Sequence, residues 1–321
     1  MNDRAVSLLD QYEIEVVRTR KGRGAILCET DRGLLIFKEY GGNPEKLRVQ
    51  DQLLKTVAER GFAQAESLIP NKEGELFVKD NDGVLYILKT YRDGRECNIR
   101  EKGECLEAMK ILARLHLCTQ DGLPIETPKT FSIGEEYEKK NRELKRIRKF
   151  LQARSQKTWF EIALLGCFDA FYDQAQEALE AWNEYGNVPR EEGAFCHGDY
   201  QYHNLILDDK GWYLINFERC TEDDPVRDLH LILRKLLEKS NWSRELGEDL
   251  LKTYEKIRPL SAISRIDLYY RLTYPDKFWK IANFYYNSGK AWIPGRNQEK
   301  LEKLIAQEKV KKEFLEQVFQ L

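Results

Sequence analysis

No stretch of the chain is apolar over the about 18 residues that a bilayer span needs, and no apolar leader precedes "MNDRAVSLLDQYEIEVV". The protein is therefore expected to be made and retained in a cytosol. Cysteine pairs at C-x-x-C spacing are absent. The seven cysteines (Cys28, Cys97, Cys105, Cys118, Cys167, Cys196 and Cys220) are odd in number and scattered, which argues against a disulfide framework and against a zinc site. Histidine is scarce: four in all, two of them inside one short motif, leave little material for a His-built metal centre. An excess of charge is missing too. A formal net charge of −2 gives no general reason to expect nucleic acid or a membrane as partner.

What is present is a chain of 321 residues, long enough for two lobes with a hydrophobic core in each. Charged residues reach 33%, which points to long solvated helices. The first 90 residues read as an antiparallel meander: "YEIEVVRTR", the turn "KGRG", "AILCET", the turn "DRG" and "LLIFKEY". A helix follows in "NPEKLRVQDQLLKTVAERGF", with Pro44 near its start, Leu47, Leu54, Val57 and Ala58 on one face, and Gly61 at its end. "GELFVKDNDGVLYILKTY" then reads as a hairpin, so residues 1–91 form a small lobe of order β-β-β-α-β-β. After the connector "RDGREC" the signal is helical through 92–321, beginning with "CLEAMKILARLHLCTQ" and Gly122 beyond it. A charged insertion covers about 134–158. The helical run is broken only by the strand pair "NLILDD" and "WYLINF" around the turn "DDKG".

"HGDYQYHN" fits H-x-D-x-x-x-x-N through His197, Asp199 and Asn204. Phosphoryl transfer needs a carboxylate near the attacking hydroxyl, here Asp199 with His197 beside it as the candidate catalytic pair. It also needs an amide oxygen five residues on, Asn204, to help hold the magnesium that bridges the phosphates. The strand pair after the loop anchors it and delivers one more metal ligand at its far end, the position of Asn216. A polar turn would match the motif alone. The order of elements around it, a meander with a lysine on its third strand, a helix, a connector, the loop and a hairpin, carries the fold: α+β and two-lobed, as in protein kinases.

With these residues in view, the chain resembles the aminoglycoside phosphotransferase and choline kinase branch of that fold, and within it the CotS family of bacterial spore coat proteins. Beyond the catalytic loop the resemblance rests on "YILKTYRDGREC", "LARLH", "LINFERCTEDDPVRDL" and "PDKFWKIANFYYNSGKAW", and it covers nearly the whole chain. It implies ATP and Mg²⁺ as cofactors, with Lys38 on the nucleotide's phosphates and backbone groups around Lys89 and Tyr91 as the adenine-binding hinge. It makes Asp199 the base, Asn204 a magnesium ligand, and Asp228 a buried brace for the catalytic loop. The sequence alone would also allow an exposed strand lysine at 38 and an ordinary helix N-cap at 228. The resemblance also implies synthesis in the cytoplasm of the mother cell of a spore-forming bacterium, deposition in the spore coat, other coat proteins as partners, and a small molecule as any acceptor.

The family's pattern breaks at three places. Asn216 stands where an aspartate would grip magnesium, which removes a full negative charge beside a hard dication. Glu218, two residues on, is the one nearby candidate for a replacement oxygen. The first helix offers Gln50 and Gln52, with Glu45 only at its very start, where a glutamate usually holds the strand-three lysine. A G-x-G-x-x-G phosphate loop is also missing, as it often is in the small-molecule kinases of this branch. Two functions stay open: a spore coat assembly or structural protein on a degenerate kinase fold, which these losses favour, and an active Mg-ATP-dependent small-molecule phosphotransferase.

Two further features have paired readings. The segment 139–157 carries nine Lys or Arg in nineteen residues. It is read as the solvated face of an amphipathic helix with Leu144, Ile147 and Leu151 inward, rather than as a docking surface. No aromatic interleaving suggests stacking on nucleic acid. The late aromatics Phe278, Trp279, Phe284, Tyr285, Tyr286 and Trp292 form either core or the wall of an acceptor pocket.

Overall fold

The computed structural model of the chain describes residues 3–22, 24–120, 132–185, 194–288 and 295–320. Packing divides the chain into two compact units, Met1–Pro128 with Glu192–Leu231, and Lys129–Glu191 with Ile232–Leu321. These units do not follow a boundary after residue 91. The helix beyond the connector and the stretch that carries H-x-D-x-x-x-x-N both cluster with the β-rich part.

In the first unit, β1 (Val16–Gly22), β2 (Ala25–Thr30) and β3 (Gly33–Tyr40) form the expected meander, and α1 (Pro44–Glu59) follows. Then come β4 (Leu68–Ile69), β5 (Val78–Lys79), β6 (Leu85–Thr90), β7 (Arg95–Glu96) and α2 (Lys102–Thr119). After the second unit's first helices the chain returns with β8 (Ala194–Cys196), β9 (Leu205–Asp208), β10 (Gly211–Leu214) and β11 (Thr221–Asp223). The main sheet runs β1-β2-β3-β6-β4, with β5 also on β6, and every pairing is antiparallel. Alternation along β2, β3 and β6 turns Ile26, Cys28, Leu35, Phe37, Tyr86 and Leu88 into one core, which Leu9, from a 3-10 segment, Asp3–Gln11, and Tyr12, just after it, close. That segment was not foreseen; it places the start of β1 at Val16 rather than at Tyr12.

Asn43 caps α1 by accepting from the Glu45 amide, Pro44 opens it, and Gly61 follows its end with φ 91°. The inward face is Leu47, Gln50, Leu53, Leu54 and Val57; Ala58, expected there, is exposed. The helix turns 100° per residue, and Val57 already fills the last inward place. β7, in the expected connector, pairs with β9 and so ties the hairpin β9–β10 to the end of the sheet segment. Gly122, expected to end α2, lies outside the described residues.

The second unit is built from α3 (Ile133–Ala153), α4 (Trp159–Tyr185), the later turns of α5 (Val226–Lys239), α6 (Arg244–Glu255), α7 (Ala262–Thr273), α8 (Asp276–Asn287) and α9 (Gly295–Phe319). A capping box between Ser132 and Glu135 starts α3. As the periodicity predicts, Leu144, Ile147 and Leu151 are buried, and they pack with α4 and α8. The late aromatics are mainly core. Phe278 and Tyr285 are buried, Trp279 and Tyr286 pack against that cluster, and Phe284 faces solvent at 54% exposure. Trp292 lies outside the described residues.

One member of the basic segment is not on the solvated face. Lys140 is buried, bonds Asp276 at 2.8 Å, and lies 4.7 Å above the Trp279 ring. Burial opposes ionisation of Asp276, but Lys140, Arg234 and Lys280 outweigh it and hold the carboxyl well below its usual range. A depressed carboxyl stabilises the fold above its unfolded-state value and loses that contribution as pH falls below about 4. Asp276→Asn strands buried cations and is expected to cost about 3–5 kcal/mol at neutral pH. In urea melts the deficit should be about 1 kcal/mol smaller at pH 3 than at neutral pH, because the carboxyl stays ionised in the fold well below that pH; a deficit equal at both pH values would refute the charge account.

Candidate active site

Every residue singled out for chemistry lies in the first unit. The catalytic loop begins where β8 ends. Gly198 has φ 78°, and a Cβ there would stand 2.0 Å from the Arg219 carbonyl oxygen, so the loop passes too close to the Arg219 backbone for any side chain. Asp228 is fully buried and accepts from the His197 amide at 2.5 Å and the Gly198 amide at 2.9 Å, with His116 Nε2 at 3.4 Å. Burial works against its charge, but these donors and the nearby imidazoles win and lower its pKa. Capping at the start of α5 falls instead to Asp224, which accepts from the Val226 amide. Position 228 is therefore a brace.

His197 was expected as a catalytic partner of Asp199. The imidazole is buried and both nitrogens hold backbone: Nδ1 accepts from the Asp199 amide at 3.2 Å, and Nε2 donates to the Ile215 carbonyl at 2.9 Å. That places it among positioning residues. The Asp199 carboxylate is half-buried and accepts no hydrogen bond from a described residue. Its backbone oxygen takes the amide of Asn204 at 2.8 Å.

Asn216 follows β10 in the left-handed region, φ 68° and ψ 55°, which asparagine tolerates better than most side chains. From there its Nδ2 donates to Asn204 Oδ1 at 2.9 Å. Two of the three expected metal ligands thus meet, but through an N–H that one donates to the oxygen of the other.

The third, Glu218, is committed elsewhere. Its Oε1 takes the ammonium of Lys38 at 2.9 Å and that of Lys89 at 2.8 Å. Burial would raise its pKa, but Lys89 and Lys38 outweigh burial and hold it down at about 2. Lys89 was expected to contribute backbone at a hinge. Its backbone lies inside the sheet, opposite Ile36 and Leu68, and its side chain, 1% exposed, ends in an ammonium that bridges Glu218 and Glu66 (2.9 Å). Tyr91 stands apart: its amide donates to the Leu34 carbonyl.

Glu66 went unread in the sequence because it sits in the loop before β4 rather than in α1. Gln64 and Glu66 zip to β10 through Leu214 (2.7 and 3.0 Å), which carries the Glu66 carboxylate to the Phe217 amide (3.1 Å). The signal that could have found it is Lys89 itself, a lysine in the apolar run "LYILKT", which has to bury its charge against an acid. Gln50, buried on α1, reaches Glu66 at 3.4 Å and not Lys38; Gln52 is exposed, as is Glu45. The partner of Lys38 is Glu218.

These residues do not make a good magnesium site. The Asn204 oxygen already accepts an N–H, one of the two Glu218 oxygens already holds two ammonium groups, and Asn216 brings no charge to a hard cation. Among the described residues the only other group of possible metal ligands is His116, Cys196 and Asp228, all buried, with Asp228 spent on the loop. Among the described residues all seven cysteines are free thiols, and no helix is long and apolar enough to cross a membrane.

A meander with a lysine on its third strand, a braced H-x-D-x-x-x-x-N loop and a following hairpin define a kinase-like phosphotransferase fold. Solved structures bear this out. The chain superposes on an aminoglycoside phosphotransferase from Alicyclobacillus acidocaldarius with TM-score 0.84 at 19% identity, covering 100% of this chain and 96% of that one. A spectinomycin phosphotransferase in complex with ADP and spectinomycin gives TM-score 0.64 at 12% identity, over 98% and 97%. Within that fold the chain belongs to the family described as "Spore coat putative kinase YutH", whose model matches residues 5–318. It is also 25% identical over 317 residues to spore coat protein S of Bacillus subtilis (strain 168), covering 94% of this chain and 88% of the relative. The spore coat resemblance of the sequence motifs agrees with both matches.

Removing the brace tests this geometry. Asp228→Ala leaves two buried amides without an acceptor and is expected to cost about 3–5 kcal/mol. Hydrogen exchange at the His197 and Gly198 amides should accelerate far beyond that of the sheet β1–β3. Continued protection of both would show that another group holds the loop.

Proposed function

We propose that the protein is a spore coat component that keeps a phosphotransferase fold for coat assembly or structure and is at most a weak kinase. The reading is carried by one observation: Asn216 donates an N–H to Asn204 where two oxygens would have to converge on Mg²⁺. It is supported by family membership and by the likeness to a protein named for the spore coat. Its partners on this reading are other coat proteins, and it is deposited in the coat. The Asp199 carboxylate and its scaffold favour a residual capacity to position a hydroxyl acceptor, but the groups that would hold metal and triphosphate are turned on one another. ATP binding therefore does not gain from magnesium.

Thermal melting with ATP, with and without Mg²⁺, tests this. A ligand at about 100 times its Kd adds about 2.7 kcal/mol, a rise in Tm of about 5–10 °C for units of this size. The intact protein is expected to show no magnesium-dependent rise, and Asn216→Asp to acquire one. A rise of that size in the intact protein, abolished by Lys38→Ala, overturns the proposal. Extraction of purified spores should place the protein in the coat fraction.

A further inference from the structure

The candidate site contains its own anion. Lys38 and Lys89, from neighbouring strands, converge on a single oxygen of Glu218, and Glu66 completes a set of two cations and two anions with no net charge. The two lysines are not equivalent. Lys89 is 1% exposed and is held by Glu66 as well, so it has nowhere to go. The Lys38 side chain is 26% exposed and has Glu218 as its only ion-pair partner among the described residues. Helix α1 offers it nothing, since Gln50, the inward polar residue, bonds to Glu66 and leaves its own Oε1 without a partner among the described residues. Glu218 sits in the 3-10 turn Phe217–Arg219, directly after the left-handed Asn216, and that turn is pinned because the Phe217 amide bonds to Glu66.

We infer that Glu218 is an internal competitor for phosphate: its carboxylate occupies the ammonium of Lys38, and a phosphate-bearing ligand has to displace it. The inference rests on the reading of this site as one poor in metal. Charge-assisted bonds at 2.8–2.9 Å in a half-buried setting are among the stronger polar contacts in a protein. A ligand that breaks one of them gains only the difference between its own contact and the one it replaces. Without Glu218, Lys38, Lys89 and Glu66 carry a net positive charge, and the Lys38 ammonium is free to take an anion. Glu218 thus decides whether the site accepts phosphate, and Lys89 stabilises Glu218 in that position.

Sodium triphosphate is the probe, titrated calorimetrically into the full chain in EDTA at fixed ionic strength. Glu218→Gln is expected to bind at least tenfold more tightly than the intact protein. Glu218→Asp keeps the negative charge, and Lys89 keeps Glu66, but the carboxylate is drawn back by one methylene and no longer spans both lysines. It is expected to gain several-fold. In both backgrounds Lys38→Met should remove the gain. The inference is overturned if folded Glu218→Asp binds no better than the intact protein, because any gain in Glu218→Gln is then a general effect of removing a negative charge. It is overturned equally if the gain survives Lys38→Met. Tight magnesium-dependent ATP binding by the intact protein would instead sink the proposed function, an outcome that these metal-free titrations do not touch.

Discussion

A lysine side chain with 1% of its surface in water must have its ammonium surrounded by acceptors, because neither the charge nor the N–H groups can go unanswered in a low-dielectric interior. Lys89 obliges three separate stretches to meet: its own strand β6, the loop that carries Glu66, and the turn after β10 that carries Glu218. The zipper between Gln64–Glu66 and Leu214 serves that meeting, and the Phe217 amide on Glu66 closes it. Much of the candidate site follows. Glu218 faces the sheet because Lys89 holds it there. Lys38 finds its counter-ion on the catalytic side of the unit rather than on α1.

The catalytic loop is organised by a different principle and does not depend on that cluster for its brace. Its shape comes from Asp228, His197 and Gly198, that is, from backbone amides and carbonyls answered by buried side chains. The two halves of the site differ in what they preserve. The loop around Asp199 keeps the scaffold of a phosphotransferase. The half that would hold phosphates and metal has its charges cancelled internally. A phosphotransferase scaffold whose lysines are paired with its own carboxylates fits membership of a family named for the spore coat as well as for a kinase.

Much of this was legible in the sequence. The meander, α1, the hairpin around "DNDG" and the strand pair after the loop follow from glycine punctuation and alternation, and the H-x-D-x-x-x-x-N spacing located the loop. What could not be read was partnership. Lys89 looked like a backbone position in a hinge, because periodicity places a side chain on a face without saying what stands opposite. Its partner Glu66 comes from a loop, where no period exists. Glu218 was assigned to metal on proximity to Asn216, and only the register of β3, β6 and β10 shows two ammonium groups already there. The boundary expected after residue 91 rested on a change from strand to helix. Such a change marks local structure, whereas compact units are drawn by contacts remote in sequence, such as β7 with β9 and Tyr200 with the carbonyl of Ala108.

The link between Asn204 and Asn216 joins two neutral amides. Acid has no proton to place on it, a chelator has nothing to extract, and dissolved salt screens no charge across it. That one contact keeps its form through shifts of medium that would strip a cation from a metal-bridged site.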